Sequence, residues 1–148
     1  MKTLRNLALL SLVAFMFVGT GCKKYEEGPT ISFRSKKARV VNDWHVKKEY
    51  KNGKDVTDDN LDLYYLFEDD NTGKITHIIH SGLGDITSNN NFKWDFNSDK
   101  TKLIITWLDD DGNPDGTEEY TILKLYENEM WWKYQNGDDT YEYHLEPK

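Results

Sequence analysis

The chain lacks most of the features that mark familiar protein classes. One cysteine in 148 residues leaves no partner for an internal disulfide. The longest apolar run, residues 7–18, is about 12 residues, short of the roughly 20 that a spanning helix needs. Basic residues are few, with 19 Lys and Arg against 26 Asp and Glu. That net charge of −7 would repel a phosphate backbone and argues against nucleic acid as a partner. There is no Gly-x-Ser-x-Gly, no His-Glu-x-x-His and no phosphate-cradling glycine loop. His77 and His80 lie three apart in a predicted strand, so they point to opposite faces and cannot share a metal. His45 and His144 stand beside charged residues and read as solvated surface. Carboxylate pairs are too abundant to single one out for acid–base work. The expectation is a protein that is not an enzyme and has no catalytic residues. A 3.6-residue apolar period is absent too, so little helix is expected beyond a short turn near 56–62.

The N-terminus holds a definite signal. Lys2 and Arg5 precede the apolar run, and Gly19-Thr20-Gly21 leads to Cys22. This reads as a signal peptide over 1–21. The arrangement resembles the lipobox of bacterial lipoproteins, with Gly19 where leucine is usual. The resemblance implies removal of 1–21, acylation of Cys22 by palmitate-type chains, and a membrane anchor in the cell envelope. An outer-membrane location is expected, with the periplasmic and surface faces both open. Each buried CH₂ of such an anchor contributes about 0.8 kcal/mol.

Cleavage before Cys22 leaves one domain's length of chain. Lys2 and Arg5 leave with the signal, so 17 basic and 26 acidic residues remain, a net −9. Residues 22–39 hold six basic side chains against Glu26 and Glu27, so the remainder carries −13. Residues 22–38 read as a flexible basic tether containing Gly28-Pro29, with a reach of about 55 Å at roughly 3.3 Å per residue. The folded domain is expected over 39–148.

From residue 39 the chain alternates. Phe92, Trp94 and Phe96 interleave with polar residues, and Leu61, Leu63, Tyr65 and Phe67 repeat the period of two. The pattern returns at Leu103, Ile105 and Trp107, at Met130, Trp132 and Tyr134, and at Tyr141, Tyr143 and Leu145. Turn signals such as Asn52-Gly53, Asn71-Thr72-Gly73 and Asn136-Gly137 separate the runs. This predicts eight strands: 43–50, 61–68, 74–80, 90–97, 101–107, 117–126, 129–135 and 139–146. Short antiparallel connections favour an all-β, eight-stranded up-and-down barrel over a sandwich, which needs longer crossings. Val40-Val41-Asn42-Asp43-Trp44 and Lys51-Asn52-Gly53-Lys54 resemble the first strand and turn of lipocalin-like lipoproteins of Gram-negative bacteria. That family has a Gly-x-Trp element whose tryptophan plugs one barrel end; Asn42 stands at the glycine and Trp44 at the tryptophan.

Alternation points Tyr65, Phe67, Trp94, Phe96, Trp107, Trp132, Tyr134 and Tyr143 into the barrel. They are either a packed core or the lining of a pocket for a small apolar or planar ligand. The loops at 51–60, 81–89, 109–116 and 136–138 should share the end away from the tether and gather many aspartates there. In 81–89, Leu83 and Ile86 are a candidate lid. The run Asp109-Asp110-Asp111-Gly112-Asn113-Pro114-Asp115 resembles Asp-rich calcium loops, which makes Asp109, Asp111, Asn113 and Asp115 candidate Ca²⁺ ligands. A plain acidic hairpin is the other reading, and no other cofactor is implied. The functional expectation is a lipid-anchored envelope binding protein, for a small apolar ligand or for an envelope protein at the acidic rim. The alternative is a structural or accessory subunit of an outer-membrane assembly with a filled barrel.

Overall fold

A run with period 2 can bury one face and wet the other only if the backbone is extended. The structure, a computed structural model, describes residues 34–148, and there this rhythm produces an all-β architecture. The strands are β1 (Asn42–Lys51), β2 (Lys54–Asp55), β3 (Leu61–Phe67), β4 (Thr72–Ile79), β5 (Ile86–Phe96), β6 (Lys102–Leu108), β7 (Pro114–Leu125), β8 (Met130–Asn136) and β9 (Asp139–Pro147). β2 is a two-residue spur on the end of β1. The other eight pair antiparallel in chain order, and β1 also pairs with β9, from Trp44 opposite Pro147 to Lys51 opposite Tyr141. That last ladder closes an eight-stranded up-and-down barrel and removes the open edges of the sheet.

The eight strands expected from alternation are β1 and β3–β9. Two of them start three or more residues early: β5 at Ile86 rather than 90, and β7 at Pro114 rather than 117. Residues 87–91 are all polar and carry no alternation. They are extended because β4 offers an unbroken ladder down to Ile79 opposite Ile86. The turn near 56–62 is not helical. At the tip of β1, Asn52 (φ 52°) and Gly53 (φ 77°) take consecutive left-handed conformations, as a tight hairpin turn requires. Gly73 on β4 has a different reason. A Cβ there would overlap the Phe92 ring and crowd the Leu66 carbonyl, so the glycine is what lets Phe92 lie flat across the sheet.

The only helix among the described residues is α1 (Lys36–Val40), which begins inside the segment read as tether. Ser35 caps it by accepting from the Ala38 N–H at 3.0 Å. It buries Val40 and Arg39 at the barrel end where β1 starts. Arg39 Nη1 donates to the Leu125 carbonyl (2.7 Å), and Trp44 Nε1 donates to the Val40 carbonyl (2.8 Å). α1 and Trp44 together seal this proximal end. The leader and Cys22 lie outside the described residues.

Above the seal, Trp44, Phe67, Phe92, Leu103, Leu125, Met130, Trp132 and Leu145 have almost no exposure. Trp94 belongs to this packed layer. Its ring meets Phe67 edge-on at 5.4 Å, and its Nε1–H is shared by the carbonyls of Thr72 (3.0 Å) and Glu68 (3.2 Å) at the β3–β4 turn. Replacing Trp94 with Ala should therefore destabilise the fold by roughly 3–5 kcal/mol in a denaturant titration. A change under 1 kcal/mol would show that the ring is not part of the core.

Candidate functional site

The barrel interior changes character halfway along its axis. Toward the end away from α1, the large apolar rings give way to an open cup of about 400 Å³. Seven strands contribute to its wall: Tyr65 from β3, Ile75 and His77 from β4, Asn90 from β5, Trp107 from β6, Glu118 and Tyr120 from β7, Tyr134 from β8 and Tyr143 from β9. A void touched by seven consecutive strands lies inside the barrel. Two other grooves, of about 360 and 600 Å³, lie beside Leu66, Lys74 and Asn91 and beside Asp70, Lys93 and Thr106. Each is lined from one side of the barrel only, by β3–β6 or β4–β6, and touches the buried Phe92 or Trp94 without polar groups converging from all around.

Strand register sets the chemistry of the cup. On β7, Glu118 lies opposite the buried Ile105 and Tyr120 opposite the buried Leu103, so both face inward. Tyr120 Oη donates to Glu118 Oε2 at 2.6 Å, and Trp107 Nε1 donates to the same oxygen at 2.9 Å. The carboxylate is thus held in one orientation on the cup wall. A second carboxylate arrives through an irregularity. Plain alternation from Trp44 and Val46 would turn Lys48 and Tyr50 inward. A bulge between Val46 and Lys48 inverts the faces, so Glu49 lies opposite Tyr143 and Lys51 opposite Tyr141. Lys48 instead stands outside and pairs with Asp55 at 3.0 Å.

Burial is the main influence on the titrating groups. It pushes the hydroxyls of Tyr65, Tyr120, Tyr134 and Tyr143 up, so they stay protonated donors at neutral pH. It also raises the Glu49 carboxyl, with Tyr143 pulling the other way. It lowers the His77 imidazole, which has no charged partner to offset desolvation. The rings form a continuous surface: Tyr120 lies 5.0 Å from both Tyr134 and Trp132, and Tyr134 stacks on Tyr141 at 5.3 Å.

The eight interior aromatics expected from the sequence divide between the two halves. Tyr65, Trp107, Tyr134 and Tyr143 line the cup. Phe67, Trp94 and Trp132 belong to the packed layer, and Phe96 packs against it partly buried. Glu49, Glu118, Tyr120, His77 and Asn90 also face the interior, and the aromatic alternation does not single them out. Alternation along Glu118, Tyr120 and Ile122 carried a usable signal for the first two on β7. Glu49 had none, because the bulge that turns it inward breaks the alternation.

Of the candidate calcium ligands Asp109, Asp111, Asn113 and Asp115, the first has another occupation. Asp109 Oδ1 accepts the backbone N–H of Asn113 (2.7 Å) and of Asp111 (3.1 Å), which closes the loop on itself and holds its carboxyl below the usual range. Asp115 borders the cup. No group of three or more His, Cys, Asp or Glu among the described residues is arranged to hold a metal. Other aspartates of this rim also serve local structure: Asp55 caps Thr57, Asp58 caps Asn60, and Asp139 pairs with Lys51 at 2.7 Å. The lid does not cover the mouth, since Leu83 is fully exposed and Ile86 is 62% exposed. His45 and His144, expected to be solvated, are both half-buried; His144 stacks on Trp131 at 3.8 Å.

The chain matches no known family model, and no curated protein is significantly similar to it.

His77 and His80 report the two sides of the wall. His80 lies between Asp62 (3.0 Å) and Asp85 (2.9 Å), which raise its pKa above the ordinary 6.5, whereas burial lowers that of His77. His80 therefore stabilises fully below about 6.5, and its contribution is lost as the pH rises through its folded value. For His77 the sign reverses, and stability is lost as the pH falls below about 6.5. An NMR titration should place the two midpoints on opposite sides of 6.5. Coincident midpoints would refute the assignment of His77 to the interior.

Proposed function

We propose that this chain is a lipid-anchored, lipocalin-like binding protein of the cell envelope, which takes a small planar ligand into the distal cup. The observation that carries the reading is the half-filled barrel. Its lower half is a rigid aromatic core, and its upper half is a concave space of about 400 Å³ with polar groups converging from several strands. That is the usual character of a small-molecule site. The polar wall shifts the expected ligand from purely apolar to planar and hydrogen-bonding. A structural or accessory subunit with a filled barrel fits less well, because the upper interior is not filled. Binding rather than catalysis is the reading, with no metal, cofactor or nucleic acid required.

Anchoring rests on the lipobox-like segment and Cys22. α1 seals the end of the barrel at which the chain enters β1, and the cup opens at the other end. A protein tethered through Cys22 to the outer membrane would therefore present its mouth away from the bilayer. A partner protein at that rim is the second reading, and the exposed Ile79, Leu83 and Ile86 of the β4–β5 hairpin favour it.

Two experiments test these statements. Cys22→Ser should abolish incorporation of a palmitate analogue and release the protein from the membrane fraction; a labelled, membrane-bound variant would refute the anchor. Native isolation of the anchored protein with mass spectrometry should recover a small molecule at near-stoichiometric yield, and Tyr134→Ala should lower that yield at least tenfold. Equal recovery from the variant would place the ligand elsewhere.

A further inference from the structure

The charge inside the cup is one-sided. Glu118 lines it, Asp115 stands at its edge, and Glu49 lies beside Tyr143, while neither lysine nor arginine lines the wall. Lys51 at the rim is already committed to Asp139, with its ammonium 5.4 Å from the centre of the Tyr141 ring. His77 supplies no compensating charge at neutral pH, because burial keeps its imidazole neutral. The interior carboxylates thus have hydrogen-bond donors but no counter-ion.

Glu118 is set up to receive one. Oε2 takes both protein hydrogen bonds, from Tyr120 and Trp107, and Oε1 accepts none among the described residues. A carboxylate oriented in this way offers a charge-assisted bond to an incoming N–H donor. The surrounding walls are faces and edges of Tyr65, Tyr120, Tyr134 and Trp107. Aromatic faces attract cations through the ring quadrupole and accept flat apolar bodies without demanding hydrogen bonds. An anionic ligand would meet the opposite conditions: like charge, and no basic group to bind it.

We infer that the distal cup is selective for aromatic organic cations, with a primary or secondary ammonium on Glu118 and the flat body among Tyr65, Tyr120 and Tyr134. This rests on the reading that the cup is a ligand site and adds the ligand's chemical class.

Calorimetric titration of the full chain in detergent micelles tests it with three probes of one shape: tryptamine (cationic), indole (neutral) and indole-3-acetate (anionic). Tryptamine should bind at least tenfold more tightly than either of the others. Glu118→Gln, which keeps the shape and the two accepted hydrogen bonds, should bring the tryptamine-to-indole ratio close to one. Glu49→Gln should reduce the same ratio by a smaller factor and serves as the second test if the Glu118 variant fails to fold. Preference for indole or indole-3-acetate would overturn the cation class while leaving the cup a ligand site. An unchanged ratio in both variants would overturn the role of the carboxylates. No binding of any probe at millimolar concentration would overturn both this inference and the reading beneath it.

Discussion

The closure of β1 onto β9 is the constraint on which the rest of the structure depends. It removes the two edges of the sheet, and it does so with one residue too many on β1. Up to Val46 the strand places Trp44 and Val46 inside, in register with Tyr65 and Leu145. Beyond the bulge the inward set becomes Glu49 and Lys51. One extra residue therefore separates an apolar half of the strand from a polar half, at the level where the interior changes from core to cup. Related irregularities occur between Thr106 and Leu108 on β6, beside Trp107, and between Ile122 and Lys124 on β7. Bulges commonly re-aim side chains next to functional sites.

The two halves of the interior support different properties. The lower half is filled with interlocking rings, among them Phe67 edge-on to Phe92 at 5.2 Å and to Trp94 at 5.4 Å, and α1 closes it with Trp44. Each such ring contributes roughly 1.5–3 kcal/mol on burial, so this layer is a large source of stability for the domain. That allows the upper half to remain open, with tyrosines whose hydroxyls reach polar partners and a carboxylate held by two donors. A cup built on such a base is pre-organised, because its wall positions are set by ladders anchored in a rigid core.

The carboxylates outside the cup follow a different logic. Asp55, Asp58, Asp70, Asp99 and Asp109 each accept from a backbone N–H two residues ahead, the local hydrogen bond that makes aspartate common in turns. Asp55, Asp58 and Asp109 lie at the rim and Asp70 and Asp99 at the α1 end, so turn-building aspartates occur at both ends of the barrel. Glu118 differs from all of these, since its partners come from its own strand and from β6, and they face the interior.

Much of this architecture was legible from local pattern. Strand positions, the short turns and the inward direction of residues such as Tyr65, Trp94 and Trp132 follow from period-2 alternation, which reflects the geometry of an extended chain and needs no knowledge of neighbours. The early start of β5 was not legible, because residues 87–91 are extended by their partner strand and not by their own composition. Nor was the helical turn at Lys36–Val40, which is held by long-range contacts of Arg39 and Val40 at the barrel end. What the tertiary structure alone decided is the division of the aromatic stripe into core and cup, and the inward turn of Glu49 beside Tyr143. The first depends on how far along the barrel axis each ring lies, and the second on a register shift, and each is a relation between segments that no segment carries by itself.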